Sequence, residues 1–156
     1  MADKTNVMRL LDQKKIPYQV YSYEGNEALP GEEAARLLKV SPYQMFKTLV
    51  TVGRSGAHYV FAVPVCAELD LRKAAAAVGE KNIEMLKSKE LLPLTGYVHG
   101  GCSPIGMKKS FRTVFDESAR RQEWIIFSGG RIAHFVGMTP ADAEKAVPLE
   151  YAELLS

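Results

Sequence analysis

The chain predicts an α/β fold of the α+β kind: one domain, with a curved, mixed, largely antiparallel sheet surrounded by helices. Three observations point there. Strand-like runs are joined by tight turns, as in Phe46–Val52 and His58–Val65 across Gly53-Arg54-Ser55-Gly56. Short helical segments fall between them without the repeated β-α-β spacing of a doubly wound sheet. The 156 residues, 47% hydrophobic and 24% charged, suit a single core, with no repeat, low-complexity segment or linker. The domain is expected to span 1–156.

Residues 4–14 read as a helix, with Val7, Leu10 and Leu11 on one face. Ile16-Pro17 stops it, and Ile16–Tyr23 reads as a strand of imperfect alternation. Gly25–Gly31 is a polar loop and Glu32–Lys39 a short helix. Ser41-Pro42-Tyr43-Gln44 has a capping serine, a proline at the first position and glutamine three residues on, a helix start of one turn. Phe46–Val52 alternates strictly, placing Phe46, Thr48, Val50 and Val52 on one face and Lys47, Leu49 and Thr51 on the other. His58–Val65 returns. Leu69–Val78 is helical and stops at Gly79.

Ile83–Leu86 fits a short strand and Ser88–Leu92 a helical turn. Thr113–Phe115 is a strand. Trp124–Phe127 and Arg131–Val136 read as a hairpin across Ser128-Gly129-Gly130. Thr139-Pro140-Ala141-Asp142 opens a last helix to about Ala146.

Net charge is +2, with a pI near 8.5. That balance neither requires nor excludes a nucleic-acid partner. The two cysteines, Cys66 and Cys102, form no C-x-x-C, and His58, His99 and His134 have no ligand spacing, so neither a disulfide scaffold nor a metal site is expected. No cofactor motif is present. The longest apolar run, Tyr59–Ala67, is nine residues with Pro64 inside it, too short to cross a bilayer. A cytoplasmic, reduced protein without membrane contact is the expectation.

The densest chemical signal is Tyr97-Val98-His99-Gly100-Gly101-Cys102-Ser103-Pro104-Ile105-Gly106-Met107-Lys108-Lys109. Paired glycines allow positive φ and close backbone approach, and Pro104 restricts Ser103 to extended geometry. Such a loop either connects two strands or aims several N–H groups at a carbonyl or phosphate. Lys47, within an otherwise apolar and threonine strand, is either on a wet face or meets an anionic or polar ligand.

Taken in order, Phe46-Lys47-Thr48-Leu49, Leu69-Asp70-Leu71-Arg72-Lys73, the run Gly96–Gly106 and Ser128-Gly129-Gly130 resemble the YbaK/EbsC family. Its members are free-standing relatives of the editing domain inserted in bacterial prolyl-tRNA synthetases. The resemblance runs from about Leu10 to about Val147. It implies an aminoacyl-tRNA editing fold with a central pocket, and trans-editing: removal of a wrong amino acid from tRNA. Lys47 then matches the family's central lysine, by the aminoacyl ester and terminal adenosine. Gly100, Gly101, Ser103 and Pro104 belong to the G-x-x-x-P loop that holds the substrate carbonyl. Tyr23, Thr48 and Ser128 complete the substrate-binding set. The implied partners are the 3′ end of an aminoacyl-tRNA and prolyl-tRNA synthetase.

The chemistry agrees with that resemblance. An aminoacyl ester is already activated, so positioning and carbonyl polarisation suffice, and no Ser-His-Asp set is needed. In cysteine-specific members the substrate's own thiol attacks its ester. Those members often carry an acidic residue about five positions past the second glycine, where this chain has Phe135. Cys-tRNA(Pro), with Cys-tRNA(Cys) beside it, is the first expectation for the substrate, and Ala-tRNA(Pro) the alternative. Two further readings are a thiol hydrolase using Cys102 with His99 as base, and a non-catalytic module that binds tRNA or synthetase.

Overall fold

Thr5 accepts the Met8 N–H at 3.2 Å and opens helix α1 (Asn6–Gln13), which buries Val7, Met8 and Leu11. The structure, a computed structural model, describes residues 4–156. Strand β1 (Gln19–Ser22), helix α2 (Gly31–Leu38), strands β2 (Phe46–Gly53) and β3 (His58–Pro64) and helix α3 (Leu71–Val78) follow. Next come β4 (Ile83–Met85), α4 (Ser88–Thr95), β5 (Arg112–Asp116) and a 3₁₀ turn at Glu117–Arg121. β6 (Ile125–Arg131), β7 (His134–Met138), α5 (Pro140–Ala146) and β8 (Glu150–Ala152) complete the order.

The strands form a five-stranded sheet ordered β4-β2-β3-β5-β8 and a three-stranded sheet ordered β1-β7-β6. Pairing is antiparallel except at β3–β5 and β5–β8. A parallel bridge from Met45 to Ile126, with Ile126 N–H donating to the Gln44 carbonyl at 2.8 Å, joins the start of β2 to β6. The two sheets therefore meet at one corner, and the site lies beside it.

Alternation along β2 separates two cores. Phe46 and Val50 pack with Phe115 and Phe127, while Leu49 packs with Phe61, Val63 and the inner face of α3. Phe46 and Phe127 flank Phe115 with ring centroids 6.0 and 6.1 Å away. Burying each of these side chains is worth about 1.5–3 kcal/mol, enough to hold β2 and β6 at fixed separation. Helix α3 starts at Asp70, whose carboxylate accepts the Arg72 and Lys73 N–H groups at 2.9 and 3.1 Å.

Several expectations need correction. Ser41–Gln44 is a turn, not a helix: Ser41 Oγ accepts the Tyr43 N–H and its carbonyl the Gln44 N–H, after which pairing into the sheet takes over. The strand expected over Ile16–Tyr23 shortens to β1, since only that part pairs with β7. The helix expected to stop at Leu92 runs to Thr95 with Pro93 inside it.

The hairpin does not turn at Ser128-Gly129-Gly130. Strand β6 continues through these residues to Arg131, with a register shift between Ser128 and Arg131, and Ala133 at φ 71° makes the reversal. Gly-Gly here serves a bulge, in which Ser128 Oγ accepts the Gly130 N–H at 3.1 Å. Strand β8 carried no clear pattern in the sequence. Buried Asp116 anchors the residues after it by accepting the Leu154 N–H at 3.0 Å, while its other oxygen accepts from Ser118 at 3.1 Å. Among the described residues, no helix is long and apolar enough to cross a membrane.

Candidate active site

Helix α2, the first half of β2, helix α4, the glycine loop and the β6–β7 hairpin enclose a cavity of about 420 Å³. Tyr23, Lys47, Thr48, Gly100 and Ser128, distant in sequence, all line it. Gly101, Ser103 and Pro104 do not. The Gly101 N–H donates to the Val98 carbonyl at 3.0 Å, and a Cβ there would lie 3.0 Å from the Ile132 nitrogen. Ser103 is wholly buried, with its Oγ accepting the Ile105 N–H at 3.3 Å. Pro104 lines a separate cavity of about 530 Å³ with Lys14 and Phe111. These three residues shape the loop from behind.

Gly100 is the loop residue that reaches the site. Its φ is +87°, and a Cβ would fall 2.5 Å from the Ala28 Cβ, so glycine is required on both counts. The N–H groups of Gly100 and Cys102 have no acceptor among the described residues, and both residues line the cavity. Unpaired N–H groups in such a loop are free to donate to a polar group in the cavity.

Lys47 lies half-buried on β2, paired across to Val63, with its Nζ 3.8 Å from the Glu68 carboxylate. Next to it, Thr48 Oγ1 is buried and makes no hydrogen bond within the protein. A buried hydroxyl without a partner costs stability, and Thr48 carries that cost beside the cavity. Tyr23 forms the far wall. Its hydroxyl donates to the Glu27 carbonyl at 2.8 Å and accepts the Leu29 N–H at 3.3 Å, and its ring lies 6.1 Å from that of Phe135.

The cavity is mostly apolar, and this part of it was not singled out in the sequence. Leu29, Ala34, Met45, Val65, Leu86 and Leu91 come from four different segments, each with the ordinary look of a core residue. His134 does not line the cavity, and its Nδ1 lies 3.0 Å from the Ile132 carbonyl. Phe135, one residue on, takes the wall position.

Cys102 also lines the cavity, but burial pushes its thiol up to about 12, although a hydrogen bond with Thr95 works against the shift. It is uncharged at neutral pH, and the thiolate is the nucleophilic form. Tyr97 beneath the loop is likewise raised to about 12 by burial, and its hydroxyl donates to the Ile105 carbonyl at 2.5 Å. Cys102→Ala is therefore expected to keep the protein's activity. Alkylation by iodoacetamide at pH 8 should modify Cys66, which is partly exposed, well before Cys102. Loss of activity in Cys102→Ala beside full activity in Lys47→Ala would restore the thiol-hydrolase reading. Among the described residues, no group of three or more His, Cys, Asp or Glu is placed to hold a metal ion.

The aminoacyl-tRNA editing domain is matched over residues 27–146, which include every cavity residue from Leu29 to Phe135. The chain belongs to this editing-domain family. A relative from Enterococcus faecalis (strain ATCC 700802 / V583), named "Putative Cys-tRNA(Pro)/Cys-tRNA(Cys) deacylase EbsC", is 41% identical over 152 residues. The alignment covers 97% of this chain and 93% of that one. The crystal structure of "a putative trans-editing enzyme for prolyl tRNA synthetase" superimposes with a TM-score of 0.85 at 24% identity, covering 99% of each chain. The expected fold class and YbaK/EbsC kinship thus hold, and the glycine loop and lysine strand meet at the editing domain's cavity.

Proposed function

We propose that this editing domain is a trans-acting aminoacyl-tRNA deacylase whose preferred substrate is Cys-tRNA(Pro), with Cys-tRNA(Cys) as a second substrate. The observation that carries this reading is the convergence of Lys47 and the unpartnered Gly100 and Cys102 N–H groups on one cavity. The name of the Enterococcus relative supports the choice of cysteine.

The ester carbonyl lies against the loop N–H groups and the Lys47 ammonium, which stabilise charge developing on its oxygen. Tyr23, Thr48 and Ser128 bound the side-chain end. The substrate thiol attacks the carbonyl carbon: a C–S bond forms and the bond to the ribose oxygen breaks. The thiol proton ends on the departing hydroxyl of the tRNA, and water later opens the released thiolactone. The protein supplies orientation and electrostatics, so the buried, uncharged Cys102 needs no catalytic role.

A carboxylate at position 135 would place a polar group against Tyr23, whereas Phe135 makes that wall apolar, which suits a small thiol or methyl side chain alike. The chemistry of the thiol, rather than the pocket, then separates cysteine from alanine, because a hydrophobic wall distinguishes such side chains by only about 1–3 kcal/mol. Deacylation of Cys-tRNA(Pro) beside Ala-tRNA(Pro) tests this. Preference for alanine would keep editing and discard the thiol mechanism. The setting is the cytoplasm, where tRNA is charged, and prolyl-tRNA synthetase is the partner that supplies tRNA selectivity to a chain of such modest charge.

A further inference from the structure

An aminoacyl ester brings two polar ends to the cavity: a carbonyl oxygen and, on the adjacent carbon, an ammonium. The residues lining the cavity include Lys47 and, among the described residues, no carboxylate. Bringing a second cation against Lys47 is unfavourable unless an anion stands nearby. Glu68 is that anion. It lies at the end of the segment leaving β3, outside the wall itself, with Oε1 3.8 Å from Lys47 Nζ.

Its position is set by backbone contacts on both sides. Ala67 N–H donates to the Pro64 carbonyl at 3.0 Å, Asp70 N–H to Leu154 at 2.7 Å, and Ser156 N–H to Glu68's own carbonyl at 3.2 Å. Leu69 bridges Leu155. The main chain is held while the carboxylate, 84% exposed, stays open to a ligand.

Building on the deacylase reading, we propose that Glu68 is the residue that recognises the α-ammonium of the aminoacyl group, so that Lys47 and Glu68 together clamp its carbonyl and amine. In an aminoacyl group the amine nitrogen and carbonyl oxygen are about 2.7–3.6 Å apart, by ordinary bond lengths and angles. The 3.8 Å between Lys47 Nζ and Glu68 Oε1 is slightly longer than that separation, so the two ends of one aminoacyl group can each meet the opposite charge. The clamp distinguishes a free aminoacyl ester from one whose amine is blocked. It also orders the carbonyl toward the loop N–H groups. Glu68 is a substrate-binding residue here and takes no part in bond making.

The experiment uses two non-hydrolysable probes, 3′-(L-cysteinylamino)-3′-deoxyadenosine and its Nα-acetyl form, titrated against the full chain. Wild type should bind the free-amine probe more tightly. Glu68→Gln should weaken that probe by roughly 10-fold, as expected for one charge-assisted hydrogen bond, and leave the acetylated probe unchanged. Glu68→Asp should recover part of the loss. Equal affinity of the wild type for both probes, binding of neither, or an equal change for both in Glu68→Gln overturns the proposal. Hydrolysis of Cys-tRNA(Pro) by the wild type is measured in parallel. Absence of hydrolysis defeats the deacylase reading, while the probe titration decides the role of Glu68 independently.

Discussion

Lys47→Ala is expected to lower kcat/KM for Cys-tRNA(Pro) by about 10²–10³-fold, the usual effect of removing one preorganised group that stabilises developing oxyanion charge. Lys47 is one of the residues lining the cavity, and among the described residues its ion pair is with exposed Glu68. Stability should change little, since the substitution removes a partly exposed group outside both cores, and such changes fall within about 0.5 kcal/mol. A thermal melt beside single-turnover deacylation separates the two effects. Lys47→Arg should recover only part of the rate, because a planar guanidinium presents its charge differently from an ammonium. A Lys47→Ala enzyme with wild-type turnover would remove the lysine from the mechanism.

Gly100→Val is expected to damage fold and activity together. The backbone there has φ +87°, and the new Cβ would meet Ala28 Cβ at 2.5 Å. Left-handed geometry alone costs a non-glycine residue about 1–2 kcal/mol, which for a domain of this size lowers Tm by roughly 2–8 °C. Relief of the clash must move either the loop donors or the segment carrying Ala28 and Leu29, and both belong to the cavity. A fall of at least about 10-fold in kcat/KM is therefore expected beyond the thermal loss. Gly25→Val is the control: φ is +103° but nothing lies within 4 Å of the added Cβ. It should show the strain in a melt and leave turnover near wild type. Equal catalytic loss in both variants would mean the Gly100 effect is general destabilisation.

Much of this architecture was legible in the sequence where local chemistry and long-range pairing agree. Gly79 as a helix stop and Thr139 as a cap are expected by residue type and hold in the structure. Phe46–Val52 alternates because its two faces meet different cores. Ser41–Gln44 misled for the opposite reason: its capping signature is real, but the chain enters β2 before a helix can propagate. Ser128-Gly129-Gly130 carries the residues of a turn and serves as a bulge, a distinction decided by pairing with β7 rather than by composition. Strand β8 is three residues long and depends on parallel pairing with β5, which leaves no periodic trace.

The candidate site divides in the same way. Lys47 and Gly100 stand out because a lysine in an apolar strand and a paired glycine are locally unusual. Leu29, Met45, Val65 and Leu91 look like any core residue, and only the meeting of α2, β2 and α4 makes them a wall. Gly101, Ser103 and Pro104 share the conspicuous motif with Gly100, but their contacts face away from the cavity. Glu68 gave no signal at all, since its place beside Lys47 depends on a segment pinned by residues near Leu154.

On the proposed mechanism this cavity cleaves a cysteinyl ester by orienting it, with the substrate thiol as nucleophile. Its most direct measurement is single-turnover deacylation of Cys-tRNA(Pro) and Ala-tRNA(Pro) by the wild-type protein under identical conditions. Rapid loss of cysteine with alanine retained is the expected result. Equal or faster loss of alanine would contradict the thiol mechanism, and retention of both amino acids by a protein that still binds the tRNA would contradict catalysis itself.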